Sequence, residues 1–228
     1  MNERLEFLSK SVASVQDRAD QAAKSAGRDP SEITLIAVTK TYPVSDVQIL
    51  SSLGLTHFGE NRDSEGAQKA AIVEGTWHFQ GQIQSKKLKS IASWASVIHS
   101  LDNLEHLQKL SNVLKSSEKK MSVFLQLSLD GDINRGGVLA SLLGPLADFV
   151  CSDPWMNLMG LMCVPPVEAD FDQAFASIAS AHQSFLSDYP EAIYLSAGMS
   201  SDFETAIAYG ATHIRVGSEI LGQRSYPQ

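Results

Sequence analysis

The sequence predicts an α/β fold, a single TIM-type (β/α)8 barrel with an extra N-terminal helix, and three observations lead there. Eight short β-rich runs alternate with segments of helical periodicity along the whole chain. The chain has 228 residues, enough for one large core and short for two ordinary domains. The first run ends in "AVTKTYP" (37–43), without the glycines that an open doubly wound sheet carries after its first strand. Parallel strands joined by right-handed helical crossovers close most naturally when there are eight of them. No linker or low-complexity tract divides the chain, so residues 1–228 read as one domain.

Residues 1–27 open the chain as an amphipathic helix that repeats Leu5, Leu8, Val12 and Val15 on one face. Charges run through it, which excludes a signal peptide. The strand runs are "ITLIAVTK" (33–40), "THFGEN" (56–61), "WHFQG" (77–81), "SVIHSLD" (96–102), "MSVFLQLSL" (121–129), "LMGLMCVP" (158–165), "AIYLSAGM" (192–199) and "HIRVG" (213–217). Between them, Pro43 opens and Gly54 closes a helix carrying Val47 and Leu50. In 170–188, Phe171, Phe175, Ile178, His182 and Phe185 share a face, and Pro190 stops the run. Asp102 with Glu105, and Ser201 with Glu204, each read as a capping box.

Composition narrows the function classes. A hydrophobic fraction of 43% with 19% charged residues is that of a soluble globular protein, and no stretch approaches the roughly 20 apolar residues that span a bilayer. Net charge −8 leaves no cationic surplus for non-specific nucleic-acid binding. The basic group Lys86, Lys87 and Lys89 reads as a solvated helix face. Cys151 and Cys163 lack metal-ligand spacing, and Cys163 lies in the apolar "LMGLMCVPP" as a buried free thiol. The expected location is cytoplasmic.

In such barrels the chemistry gathers at the carboxyl ends of the strands. Those positions are Lys40, Glu60 with Asn61, Gly81, Asp102, Arg135 with Gly136 and Gly137, Pro165 with Pro166, Gly198 to Ser200, and Gly217 with Ser218. Taken alone, Gly217 reads as turn punctuation and Ser200 as an ordinary N-cap. On adjacent strands, with Gly217 and Ser218 opening a short helix, they read as a cup for phosphate. Alone, Lys40 is a strand end reaching solvent or Glu60. Opposite a phosphate cup it is a nucleophile, because an amine in a partly dry pocket is more readily uncharged and condenses with aldehydes. A phosphorylated aldehyde fits both ends, and pyridoxal 5′-phosphate (PLP) is the commonest cofactor of that description. Arg215 lies one residue from Gly217 in alternation, so both can face the interior; it reads either as a structural ion pair or as the partner of the pyridine nitrogen. A guanidinium cannot accept a proton, so a ring facing it stays unprotonated and is a poor electron sink.

The segments "LIAVTKTYP", "HFGEN", "WHFQGQIQSKK", "GLMCVPP" and "LSAGMSSDFETAIAYGATHIRVGSEILG" together resemble the pyridoxal phosphate homeostasis proteins (YggS/PROSC type). That family is similar to the barrel domain of alanine racemase and belongs to the fold-type III PLP proteins, and the resemblance runs from about residue 5 to residue 224. It implies a PLP Schiff base on Lys40, phosphate contacts from Ser200, Gly217 and Ser218, and Arg215 at the pyridine nitrogen. Asn61 would line the pocket with Met199 and His78 nearby, although His78 reads equally as a packed strand residue. The chain departs from the family pattern at Ala197, Gln80, Lys86 and Arg62, and carries Arg135 where many relatives have lysine.

The implied function is intracellular PLP buffering and delivery without efficient catalysis. The expected protein is a monomer that makes transient contacts with PLP-dependent apoenzymes and binds neither nucleic acid nor membrane. A PLP-dependent amino-acid racemase is the alternative, although no second domain is left to bring an acid/base to the other face. A cofactor-free Schiff-base aldolase is the third, disfavoured because those barrels usually carry their lysine on a later strand.

Overall fold

The computed structural model describes residues 3–132 and 134–223, and in it eight parallel strands close into a barrel in chain order. They are β1 (Thr34–Val38), β2 (His57–Glu60), β3 (Thr76–Phe79), β4 (Val97–Leu101), β5 (Met121–Leu127), β6 (Met156–Cys163), β7 (Tyr194–Ser196) and β8 (His213–Val216). Closure is made by β1 against β8, with Thr34 to Ala37 in register with His213 to Val216. The helices are α1 (Glu3–Ser25), α2 (Val44–Ser52), α3 (Asp63–Ala70), α4 (Leu88–Trp94), α5 (Leu104–Ser117), α6 (Leu143–Ser152), α7 (Phe171–Asp188), α8 (Phe203–Ala208) and α9 (Ser218–Leu221). All eight strand runs are present and the barrel expectation holds. The last residues of most runs have left the ladder to form the mouth, and β6 starts two residues early, at Met156.

Alternation along each strand sends one set of side chains outward to the helices. Phe58 and Trp77 leave β2 and β3 to pack with Val47 and Leu50 of α2 and with the buried face of α1. A second sector joins the outer faces of β3 to β7 with α4 to α7 through residues such as Ile98, Leu107, Val123, Val150 and Phe175. Each such side chain, fully buried, contributes about 1.5–3 kcal/mol. Gly160 is required where β6 passes β7: a Cβ there would stand 1.8 Å from the Tyr194 carbonyl, and its φ is +150°. The adjacent register shift between β5 and β6 absorbs the irregularity.

The N-terminal helix buries Leu8, Val12, Val15, Ala19 and Ala23, the spacing of a single stripe. Arg18 ties it to Glu204 of α8 (2.6 Å) and Glu219 of α9 (2.8 Å). Arg28, just beyond it, donates to the Ile207 and Ala211 carbonyls at 2.9 and 2.8 Å. Residues 3–28 are thereby fastened to the segment that follows β7.

Three local expectations are corrected. Asn103, not Asp102, caps α5, its side chain accepting the His106 amide at 2.8 Å. Asp102 instead takes the Gly137 amide at 3.0 Å and anchors the loop after β5. Ser201 and Glu204 form no capping box: α8 starts after Asp202, whose carboxylate is drawn back to the Met199 amide, while Glu204 is held by Arg18. Phe171 is 38% exposed and lies off the buried face of α7, which Ala174, Phe175, Ile178, His182 and Phe185 form. Lys86, Lys87 and Lys89 are exposed, and Lys87 reaches Asp63 at 3.4 Å. Cys163 is a buried free thiol whose pKa burial pushes up to about 12. Among the described residues no helix is long and apolar enough to cross a membrane.

Candidate functional site

A cavity of about 670 Å³ opens at the carboxyl mouth of the barrel. Its lining includes Lys40 from the end of β1, Asn61 after β2, Gln80 and Gly81 after β3, Met199 and Ser200 after β7, and Arg215, Gly217 and Ser218 from β8 and the start of α9. Seven of the eight residues singled out from the sequence therefore face one space. His78 is the exception: it is 1% exposed and its ring lies within the barrel, bonded to other histidines.

Lys40 is held by the backbone on both sides. Before it, Thr39 is fully buried; its hydroxyl donates to Glu60 Oε1 at 2.7 Å and its carbonyl accepts from Lys69 Nζ at 2.7 Å. Lys69 also reaches Glu60 Oε1 at 2.5 Å, so the carboxylate at the end of β2 is engaged by Lys69. Burial raises the Glu60 pKa, and the hydrogen bonds from Lys69 and Thr39 offset part of that rise. After Lys40, Thr41 adopts φ +71°, a left-handed conformation that a β-branched residue adopts only under constraint. Its amide donates to Glu65 Oε2 at 2.7 Å, and that anchor supplies the constraint. Lys40 thus sits between two clamped residues, on a turn rather than on a mobile strand end.

Across the mouth, the loop after β7 and the start of α9 converge. The Ser200 hydroxyl accepts from the Gly217 amide at 3.3 Å and from the Glu219 amide at 3.5 Å, so backbone donors and two serine hydroxyls share one corner. A Cβ on Gly217 would come within 3.3 Å of the Val38 carbonyl, a tight contact that a larger residue relieves only by a small shift of that corner. Below it, Arg215 is 6% exposed and donates from Nη1 to Ser196 Oγ (2.8 Å) and from Nη2 to the Cys163 carbonyl (3.0 Å). Burial lowers the guanidinium to about 10, and it stays a cation at neutral pH. Of the two readings of Arg215, the structural ion pair finds no carboxylate partner among the described residues; its hydrogen bonds go to a hydroxyl and a carbonyl.

Sequence reasoning missed part of the lining. Val38, Gln82, Met162, Val164 and Ser201 also border the cavity. Gln80 stood out only as a departure from a family pattern. Its side chain lies over Gly59, and its Nε2 is buried with no hydrogen-bond partner among the described residues. Such an orphaned donor beside a cavity is the mark of a missing acceptor. Gly81 earns its place sterically, since a Cβ would fall 2.1 Å from the Asn61 carbonyl. Other strand-end residues are structural: Arg135 donates to the Val164 and Pro165 carbonyls at 2.7 and 2.5 Å. Of the departures, Arg62 pairs with Glu65 at 3.2 Å, Lys86 is exposed, and Ala197 is buried in the outer core.

A closed parallel barrel with an amine and a donor-rich corner facing across its mouth places the chain among the alanine racemase N-terminal domains, a family matched over residues 11–225. Within that class it belongs to the pyridoxal phosphate homeostasis protein family. A protein of that name from Mycobacterium leprae is 39% identical, over 94% of this chain and 92% of its own. The Escherichia coli K12 protein is 33% identical, over 96% and 97%. Among solved structures, PipY of Synechococcus elongatus with PLP bound superposes with a TM-score of 0.83 at 27% identity, covering 94% of this chain and all of that one. An alanine racemase from Clostridium difficile shares the fold at a TM-score of 0.76 and 14% identity, with 98% of this chain matching 58% of that one.

Proposed function

We propose that this protein binds PLP reversibly through Lys40 and serves intracellular PLP homeostasis as a carrier. One observation carries the reading: Lys40 and the Ser200, Gly217 and Ser218 corner border the same cavity of about 670 Å³, within the roughly 300–1,000 Å³ of small-molecule sites. The residues present fit the group. An amine faces an aldehyde, backbone and hydroxyl donors face a phosphate, and the orphaned Gln80 Nε2 awaits an acceptor. PLP, when bound, supplies an aldehyde that a lysine amine can hold covalently and a ring that can delocalise charge.

The chain's own residues determine how much of that chemistry is used. Ser200, Gly217 and Ser218 would bind the phosphate, Asn61 and Met199 would border the ring, and Arg215 would meet the ring nitrogen as a permanent donor. A donor there leaves the nitrogen without a proton, so the site retains the cofactor while giving carbanions little support. The PLP-bound relative and the homeostasis proteins aligned nearly end to end support the same reading. It extends to a cytoplasmic monomer that passes PLP to apoenzymes by transient contact.

The test is an absorbance titration of wild type and Lys40→Ala with PLP, followed by borohydride reduction and peptide mapping. The expected result is a yellow protein fixed at Lys40 and no fixed adduct in Lys40→Ala. An adduct on another lysine, or no binding, overturns the reading. Exchange of an amino acid's α-proton that depends on Lys40 would show an enzyme instead of a carrier.

A further inference from the structure

Beneath the cavity, a row of hydrogen bonds crosses the barrel interior from the mouth to the opposite end. Arg215 Nη1 contacts Ser196 Oγ (2.8 Å), Ser196 Oγ contacts His99 Nδ1 (2.9 Å), His99 Nε2 contacts His78 Nδ1 (2.8 Å), and His78 Nε2 contacts His57 Nδ1 (3.0 Å). The His99 to Ser196 contact joins β4 to β7, strands that are not neighbours in the sheet, so it spans the interior. Ser196 and His99 are fully buried and His78 nearly so. His57, at the start of β2, also lines a second cavity of about 410 Å³ at the amino end of the strands.

The direction of this row follows from elementary donor and acceptor counting. Arginine only donates, so Ser196 Oγ is an acceptor toward Arg215. The Ser196 hydroxyl proton then goes to His99 Nδ1, its other contact among the described residues. A neutral imidazole carries one N–H, so His99 must donate from Nε2 to His78, and His78 from Nε2 to His57. The histidines are neutral for a physical reason: burial, then neighbouring positive charge, holds His78 and His99 well below the ordinary histidine value, and burial lowers His57. His213 stands edge-on to His78 with ring centres 6.5 Å apart, and it too is lowered, to about 4. His99 is further fixed by stacking on Phe124 at 4.5 Å.

We propose that Ser196, His99, His78 and His57 form a one-way hydrogen-bond chain, given its direction by Arg215, that positions the Arg215 guanidinium under the cofactor site. None of the four is among the residues lining the cavity; they are positioning residues. The proposal deepens the PLP reading, which places the ring nitrogen at Arg215. Its first test needs no PLP.

Protein with ¹⁵N-labelled histidine and arginine is examined by NMR in the unloaded state. The expected pattern is a proton on Nε2 and a bare Nδ1 at His57, His78 and His99, with separate Nη signals showing an Arg215 guanidinium that does not rotate. In Ser196→Ala the Nη signals merge and His99 becomes a mixture of tautomers; Ser196→Thr restores both. A proton on Nδ1 of His78 or His99 in wild type, or Arg215 signals indifferent to Ser196→Ala, overturns the proposal. With PLP added, Ser196→Ala is expected to shift the ring ¹⁵N resonance and to speed dissociation about tenfold, the effect of losing one charge-assisted hydrogen bond. An unchanged ring resonance alongside the expected tautomers would show that the chain stops short of the cofactor and sink the positioning claim. Failure of wild type to bind PLP would instead remove the proposed function and leave the tautomer result standing.

Discussion

Lys69→Met isolates what holds the Lys40 turn in place. The Lys69 ammonium lies 2.5 Å from Glu60 Oε1, with side-chain exposures of 6% and 0%, and it also donates to the Thr39 carbonyl. Methionine fills similar volume without the charge, so the change removes the partner of a buried carboxylate whose Oε2 already has no hydrogen bond among the described residues. Breaking a buried pair from one side costs about 3–5 kcal/mol. For a chain of this size, where 1 kcal/mol moves Tm by about 2–4 °C, the melting temperature should fall by about 6–20 °C. The double variant Glu60→Met/Lys69→Met should recover to within about 1 kcal/mol of wild type, because an apolar pair of similar volume carries no orphaned charge. The pH dependence has a definite sign. Lys69 lowers the Glu60 pKa against the rise due to burial, so its removal raises that pKa further. A carboxyl whose folded pKa is raised destabilises the fold above that value, and the penalty fades as pH falls toward the unfolded value. The deficit of Lys69→Met relative to wild type should therefore shrink in acid. Urea denaturation of the three proteins from pH 5 to pH 8 measures all of this. A single-variant cost below about 1 kcal/mol, or a double variant no better than Lys69→Met, would refute the reasoning.

Four further outcomes are expected. Histidines held neutral by burial lose stability as pH falls below the unfolded value near 6.5; His78, His99 and His213 together should remove about 4 kcal/mol between pH 7 and pH 5.5, partly offset by Glu60, as measured by denaturant midpoints. Glu65→Ala frees the Thr41 amide from its anchor, and a PLP titration should show weaker retention with Lys40 still the labelled residue. Gly81→Ala forces a methyl against the Asn61 carbonyl and should cost about 1–3 kcal/mol while weakening PLP binding; unchanged affinity would mean that loop does not shape the site. Gln80→Leu removes the orphaned donor, so the unloaded protein should keep or gain stability in a thermal melt while PLP dissociates faster.

The barrel was legible because its outward faces obey simple rules: apolar residues alternate along short runs, and proline or glycine marks where each run ends. Lys40 and the Ser200, Gly217 and Ser218 corner were legible because backbone topology puts strand ends together regardless of what lies between. The interior was not. His57, His78 and His99 each sit on a different strand, and each alone reads as a packed residue. Their signal is a repeat, since successive members are 21 residues apart and occupy inward positions of consecutive β–α units. The Asp102 and Ser201 capping boxes failed because tertiary partners, the Gly137 amide for Asp102 and Arg18 for Glu204, outbid the local ones. Lys69 went unnoticed because nothing in an exposed-looking "GAQKA" announces that its amine reaches under β1.

The seam between β1 and β8 sets a timetable for biosynthesis. Lys40 precedes the Ser200, Gly217 and Ser218 corner by most of the barrel's sequence, so the two sides of the cavity are synthesised far apart in time. Until β8 emerges the ring of strands cannot close and that corner of the cavity is not in place. On the proposed PLP reading, loading would therefore wait for β8 to join the barrel, and a product truncated before it should retain no cofactor at Lys40.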